Sequence, residues 1–400
     1  MPDKAYLRRV DREAIGYPST ANSRFPEARE YMEFNLNNVG DPFSTPIRYK
    51  PNTHVQERAV IDFFSKDIWG FEDPTKLWGY VTASGTEGNL QGCYLGREVL
   101  AAKSGGEIQP VLYTSDEAHY SLVKIARLLN IRIKTIETDA HGFMDMQQFE
   151  KALRLNLGSP ALIAATIGTT MKGAIDSPER LYQVLEHTGM QDNYHMHLDG
   201  ALMGNVLPLL TRAQGSDVNG FDLRSQFKYA HSISVSGHKF MGVPFPCGVF
   251  LSWHRRHLEI ISQDVQYIGG RDDTVMGSRS GHSVLYLLEE INREGVTGLA
   301  AMARSCLENA HYLLGRMERE FSDHQPFLNP DSITVVFNSP SDALVEKHQL
   351  ATSTTASGVR IAHVVTVGHV SKAMIDDFLY DLKVEEATRE HSSMKAVDTS

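Results

Sequence analysis

Residues 161 to 201 run from Ala161-Leu-Ile-Ala-Ala-Thr-Ile167, through Ser177-Pro-Glu-Arg-Leu-Tyr-Gln-Val-Leu-Glu-His-Thr188, to His195-Met-His-Leu-Asp199-Gly-Ala201. A short apolar run, a helical pattern from Pro178 to Thr188 and a second apolar run read as strand, helix, strand, which is the crossover that joins parallel strands. The same alternation extends to both sides. Val111 to Thr114, Ile131 to Ile136, Ser232 to Val235 and Gly248 to Leu251 read as strands, and Thr86 to Lys103, Tyr120 to Leu129 and Asp145 to Leu155 as helices. This predicts an α/β fold with a mostly parallel central sheet and helices on both faces. Ligands of such sheets lie at the carboxyl ends of the strands, where chemistry is to be sought.

The flanks divide the chain. Residues 1–50 form a polar N-terminal arm, 51–282 the large domain, 283–384 a smaller C-terminal α+β domain, and 385–400 a polar, aperiodic stretch read as a flexible tail. Within the large domain, Gln56 to Trp69 carries apolar residues at helical spacing. In the small one, Ser283 to Arg293, Leu299 to Phe321 and Ile375 to Leu382 read as helices, and Ser332 to Phe337 as a strand.

A chain of 400 residues with 42% apolar residues can bury a full core. Its formal net charge of −10, without a Lys/Arg run, excludes a general polyanion-binding surface, so a small-molecule substrate is expected rather than nucleic acid. The opening residues lack an apolar h-region and no stretch of about 18 apolar residues occurs, which speaks against export and membrane spanning. Cys93, Cys247 and Cys306 are few, odd in number and widely spaced, as in reduced proteins; a cytoplasmic location is the expectation.

Four stretches carry chemistry. In Ser232-Ile-Ser-Val-Ser-Gly-His-Lys239, an apolar strand runs into a small-residue turn that presents His238 and Lys239; a lysine held away from bulk water suits imine formation with an aldehyde. The strand His195 to Leu198 ends in Asp199, whose carboxylate could pair with a protonated pyridine nitrogen, cap a turn, or complete a metal site with His195 and His197 on the same strand face. In Thr82-Ala-Ser84-Gly-Thr86-Glu-Gly-Asn89, small residues precede a long helical pattern, either a plain capped helix start or a phosphate site built on exposed amides and the helix dipole. His119 follows the strand Val111 to Thr114, at the same sheet edge, where an imidazole could stack on a flat ring.

These residues sit in a longer collinear series: Ile15-Gly-Tyr-Pro18, Asn35-Leu-Asn-Asn-Val-Gly-Asp41, Trp78-Gly-Tyr-Val-Thr82, Thr86-Glu-Gly-Asn89, Cys93-Tyr-Leu-Gly-Arg-Glu98, Ile167-Gly-Thr-Thr-Met-Lys-Gly-Ala-Ile-Asp176, Ser234-Val-Ser-Gly-His-Lys239, Pro244-Phe-Pro-Cys-Gly248, Gly277-Ser-Arg279, Ile333-Thr-Val-Val-Phe337 and Gln349-Leu-Ala-Thr352. Over nearly its whole length the chain thereby resembles the bacterial histidine decarboxylases dependent on pyridoxal phosphate (PLP). These belong to the group II amino-acid decarboxylases, which also include plant serine decarboxylases.

The resemblance implies a fold-type I PLP enzyme, normally a homodimer with its active sites at the interface. Lys239 matches the Schiff-base lysine, Asp199 the partner of the pyridine nitrogen, Ala201 the small residue under the ring and His119 the imidazole on its other face. Ser84, Gly85 and Thr86 match the phosphate-binding turn; Ser236 and His238 add phosphate contacts, and Thr169 a further contact on the cofactor side. The implied activity is α-decarboxylation of an L-amino acid, with histidine the first expectation. Another amino acid, or decarboxylation-dependent oxidative deamination on the same fold, are the alternatives. The chain departs from the family at Ala83-Ser84, where Asn-Gly is usual, at Tyr49 to His54, and in Ile268 to Met276, which is short and lacks the loop tyrosine of larger members; Tyr267 lies beside it.

Overall fold

The structure, a computed structural model, describes residues 1–21, 25–44, 47–214 and 220–397. Two compact units emerge, one of residues 22–170 and 174–303, the other of residues 1–21, 171–173 and 304–400. The arm is therefore divided at Ala21. The chain passes between units inside a helix at Ala303, where the sequence pattern placed the change near Ser283, because an uninterrupted helical period carries no mark of the unit it packs in.

The larger unit is built on seven strands: β1 (Trp78–Thr82), β2 (Val111–Ser115), β3 (Arg132–Ile136), β4 (Ala161–Thr166), β5 (Tyr194–Asp199), β6 (Ser232–Ser236) and β7 (Gly248–Ser252), in the order β1-β7-β6-β5-β4-β2-β3. All pairings from β6 to β3 are parallel, and β7 is antiparallel to both its neighbours. β1, β2, β4, β6 and β7 are wholly buried, which is why they read as continuous apolar or small-residue runs rather than as alternation. The expected crossover helices are present as α1 (Gly85–Lys103), α2 (Ser121–Leu128), α3 (Met146–Arg154) and α4 (Pro178–Thr188), followed by α5 (Met203–Gln214). The helix foreseen over Gln56 to Trp69 is α-helical at His54–Asp62 and continues as a π-helical turn at Phe63–Ile68.

The close approach of α1 to the sheet decides where the site forms. A Cβ at Gly88 would stand 2.5 Å from the Ser234 Cβ, and one at Gly92 would stand 2.2 Å from Nδ1 of His197, so one helix face is stripped to backbone where it crosses β5 and β6. Behind the turn that starts α1, Arg279 and Glu57 form a fully buried ion pair. Glu57 accepts from the Val81 N–H (2.8 Å) and from Asn38 (2.7 Å), while Arg279 donates to the Gly40 carbonyl (2.8 Å) and lies over the Tyr80 ring (4.9 Å). Such a pair anchors β1 in one place, because removing either partner strands a charge in the core.

The helices expected at Ser283 to Arg293 and Leu299 to Phe321 are the two halves of α6 (Gly281–Glu320), broken at Gly295 (φ 57°, ψ −173°). The smaller unit holds a four-stranded antiparallel sheet, β8 (Phe327–Leu328), β9 (Thr334–Asn338), β10 (Ala351–Thr354) and β11 (Arg360–Val365), in the order β8-β9-β11-β10. Residues near the N-terminus join it: the Ile15 N–H bonds the His348 carbonyl (3.1 Å), and the Ile15 carbonyl accepts from Val365 N–H (2.9 Å). The last helix, α7 (Lys372–Val397), runs well past Leu382. The tail expected from Glu385 is thus helical to Val397, since Glu385-Glu-Ala-Thr-Arg-Glu390 and the residues beyond it include strong helix formers that need no apolar period; Asp398 to Ser400 lie outside the described residues.

Candidate active site

At the carboxyl edge of the sheet, β6 ends in a turn that presents Lys239. The turn is pinned by Gly237 N–H to the Cys247 carbonyl (2.8 Å), Val243 N–H to the Gly237 carbonyl (3.2 Å) and Gly242 N–H to the Lys239 carbonyl (3.3 Å). Burial of its ammonium lowers Lys239 below the usual lysine range, and the Asp199 carboxylate works against that shift. An amine so placed is a better nucleophile at neutral pH than a solvated one.

Asp199 closes β5 and is 4% exposed. Its Oδ2 accepts from Asn89 Nδ2 (2.7 Å) and its Oδ1 from the Ala201 N–H (3.3 Å). Ala201 in turn accepts at its carbonyl from the Ser236 N–H (2.9 Å), so the ends of β5 and β6 are locked together. His119 follows β2, its Nδ1 receiving the Ser121 N–H (3.3 Å) and lying 2.8 Å from the Ser121 hydroxyl. Burial first, and then the charge of Lys239, lower its pKa, with Asp199 opposing; the imidazole is held neutral. Lys239, Asp199 and His119 therefore lie close enough to feel one another's charge.

The start of α1 completes the site. Ser84 is the N-cap, its Oγ accepting from the Glu87 N–H (3.3 Å), and Glu87 reaches back to the Ala83 N–H (2.6 Å). Capping uses a lone pair of the Ser84 hydroxyl and leaves its proton for a ligand, beside the unpaired amides of the first turn at Gly85 and Thr86. A Cβ at Gly85 would stand 2.7 Å from Ser236 Oγ and 3.7 Å from the Ala201 Cβ, which brings this turn against the β5 and β6 ends. His238 is fixed through Nδ1 to the Cys247 backbone (3.0 Å to the carbonyl). Thr169 lies in the turn after β4, and its hydrogen bonds run within that turn: Oγ1 accepts from Ala174 N–H (3.0 Å) and its own N–H reaches the Ala174 carbonyl (2.8 Å).

The His195, His197, Asp199 series does not converge on a metal. Both ring nitrogens of His197 are engaged, Nδ1 by the Ser232 hydroxyl (2.9 Å) and Nε2 by Asn89 Oδ1 (3.0 Å), which leaves no lone pair for an ion. His195 joins other imidazoles instead, stacking on His231 (centroids 4.4 Å), which lies 4.8 Å from His254, itself stacked on His257 at 5.1 Å. Asn89 is the residue that sequence reasoning missed. It ends the stretch Thr86-Glu-Gly-Asn89, where only the turn before it suggested a role, and its position one helical turn into α1, on the sheet-facing side, is the signal that could have found it.

The histidine stack makes a pH prediction. Burial keeps His195 and His231 well below the ordinary imidazole value and brings His257 to about 4. Such groups are neutral when folded and take up a proton on unfolding, so their contribution is complete above about pH 6.5 and is lost as pH falls below it. Asp176 and Glu290, raised to about 7 by burial, act in the opposite sense, so the comparison must be between proteins. Relative to wild type, His195→Phe is expected to gain stability by about 1.4 kcal/mol per pH unit below pH 6.5. Denaturant unfolding at pH 7.5, 6 and 5 checks this; parallel curves would contradict it.

Comparison with known proteins is consistent with this edge chemistry. The family model described as the pyridoxal-dependent decarboxylase conserved domain matches residues 100–339. Serine decarboxylase 1 of Oryza sativa subsp. japonica is 37% identical over 375 residues, covering 94% of this chain and 72% of its own. Histidine decarboxylase of Vibrio campbellii is 37% identical over 380 residues, covering 93% and 91%. Among solved structures, L-methionine decarboxylase from Streptomyces sp. 590 superposes with a TM-score of 0.85 at 25% identity, over 94% of this chain and 92% of that one. The architecture is that of fold-type I PLP enzymes. A buried amine, a carboxylate held by two donors and a helix N-terminus are also the donor set that an aromatic aldehyde phosphate requires. With a family model over more than half of its residues and relatives aligned along nearly all of them, the chain belongs to the pyridoxal-dependent decarboxylases, PLP-dependent carboxy-lyases that act on amino acids.

Proposed function

We propose that this enzyme decarboxylates L-histidine to histamine. The reading is supported by the match to the Vibrio campbellii histidine decarboxylase, 91% of whose length this chain spans, against 72% and 82% of two rice serine decarboxylases. Serine is the second reading, because identity to serine decarboxylase 1 and to the histidine enzyme is the same.

In the proposed site Lys239 would hold the cofactor through its amine, Asp199 would keep the ring nitrogen protonated, and His119 and Ala201 would pack against the ring. Ser84, Gly85, Thr86, Ser236 and His238 hold the phosphate, the helix dipole of α1 adding to their hydrogen bonds. Thr169 is a further contact on the cofactor side. When bound, the cofactor supplies a conjugated pyridinium that accepts the electron pair of the breaking Cα–carboxylate bond. The residues around it would direct the reaction by orienting the substrate and excluding water. We further propose that the enzyme works as a homodimer with its sites at the interface, in the cytoplasm, where its three buried thiols stay reduced.

The test is incubation of the PLP-loaded protein with each proteinogenic amino acid, with CO2 and amines measured. Histamine as the main product is expected. Accumulation of ethanolamine or another amine would replace the substrate, and hydrogen peroxide with an aldehyde would replace the reaction by oxidative deamination.

A further inference from the structure

Behind Asp199 lies a chain of buried polar side chains with a single possible direction. A carboxylate only accepts, so the Asn89 atom 2.7 Å from Asp199 Oδ2 is its amide nitrogen, and Asn89 Oδ1 must face the other way. That oxygen receives the Ser234 hydroxyl and lies 3.0 Å from His197 Nε2, which therefore carries the proton. His197 Nδ1 is then the acceptor for the Ser232 hydroxyl at 2.9 Å. Burial lowers the pKa of His197 to about 3 and keeps it neutral, so it brings no competing charge. Ser232, Ser234, His197 and Asn89 are all essentially inaccessible to solvent. Every donor points toward Asp199, and successive bonds of one direction polarise one another in a low-dielectric interior.

We propose that Asn89 and His197, with Ser232 and Ser234 behind them, are positioning residues: a one-way hydrogen-bond relay that aims the Asp199 carboxylate and sustains its charge toward the ring nitrogen of the cofactor. The bare face of α1 is part of the device, since any side chain at Gly92 would occupy the space of the His197 ring. The relay rests on the reading of Asp199 as the ring-nitrogen partner. It makes no contact with substrate, so it acts on how strongly the cofactor is held and how acidic its bound form is.

The test uses Asn89→Ala, His197→Phe and Asp199→Asn in the full-length protein, stripped of cofactor and reloaded. Cofactor Kd by fluorescence titration is expected to rise about 10- to 100-fold in Asn89→Ala, the loss set by one hydrogen bond to a charged group, and less in His197→Phe. Both should shift the pH midpoint of the visible band of the lysine-bound cofactor in the direction that Asp199→Asn shifts it, and lower kcat with KM little changed. Wild-type Kd and band midpoint in Asn89→Ala and His197→Phe, with Asp199→Asn altered, would overturn the relay alone. A wild-type band in Asp199→Asn would overturn the reading of Asp199 and the relay with it. Should either relay variant fail to fold, nitrogen NMR of histidine-labelled wild-type protein decides: His197 is expected as the neutral Nε2–H tautomer from pH 5 to 9, and an Nδ1–H or charged ring would overturn the proposal.

Discussion

Lys239→Ala is expected to lower the decarboxylation rate by about 10⁴-fold or more, the scale seen when a covalent catalytic group is deleted. The turn that carries Lys239 is tied by three backbone hydrogen bonds independent of its side chain, so the fold should survive the truncation. Burial lowers the basicity of this amine while Asp199 partly restores it, which leaves a lysine that can be neutral for attack on an aldehyde and yet stay seated when charged. Lys239→Arg keeps the charge but not the chemistry, because a guanidinium stays protonated and forms no imine. Both variants should lose the visible absorbance of the lysine-bound cofactor, and borohydride treatment should leave the protein mass unchanged. A borohydride adduct in Lys239→Ala, or a rate within tenfold of wild type, would mean that another lysine holds the cofactor.

Asp199→Asn is expected to be nearly as damaging, with a loss of about 10²- to 10⁴-fold in kcat, equivalent to the roughly 3–5 kcal/mol for leaving a buried charge without its partner. The substitution keeps the shape but not the bonding. Asp199 accepts from Asn89 on one oxygen and from the Ala201 N–H on the other, and an amide offers an acceptor to only one of them. The remaining NH2 must face a donor. A neutral side chain here also gives up the charge that would oppose a pyridinium, so the loss should fall on kcat more than on KM, as expected for stabilisation felt most in the transition state. Steady-state kinetics with CO2 release, together with circular dichroism to establish folding, check this; an unchanged kcat in a folded Asp199→Asn would remove Asp199 from the chemistry.

Much of this site is local in origin. Asp199 is the last residue of its strand and Lys239 and His119 stand just past the ends of theirs, and in a parallel sheet all strand ends fall on one edge, so recognising strand, helix and strand already brought them together. Ser84 to Thr86 were legible for a similar reason, since an N-cap and the amides behind it are properties of a single helix start. The antiparallel β7 and the division of α6 between two units were not, because neither strand direction nor unit membership changes the side-chain period.

By itself, the order of residues determined the α/β class and the sheet edge at which the lysine, carboxylate and imidazole of the candidate site meet. Those follow from periodicity, from turn chemistry and from the fixed relation between strand direction and strand end. Only the tertiary structure decided what His195 and His197 do, since two residues that share a strand face can serve one ion or two unrelated neighbours. Here the glycine-lined face of α1 carries Asn89 between His197 and Asp199, while His231, just before β6, and His254 and His257, after β7, form an imidazole cluster with His195. Contacts of that kind depend on the distance between a helix and a sheet, which no local pattern of residues encodes.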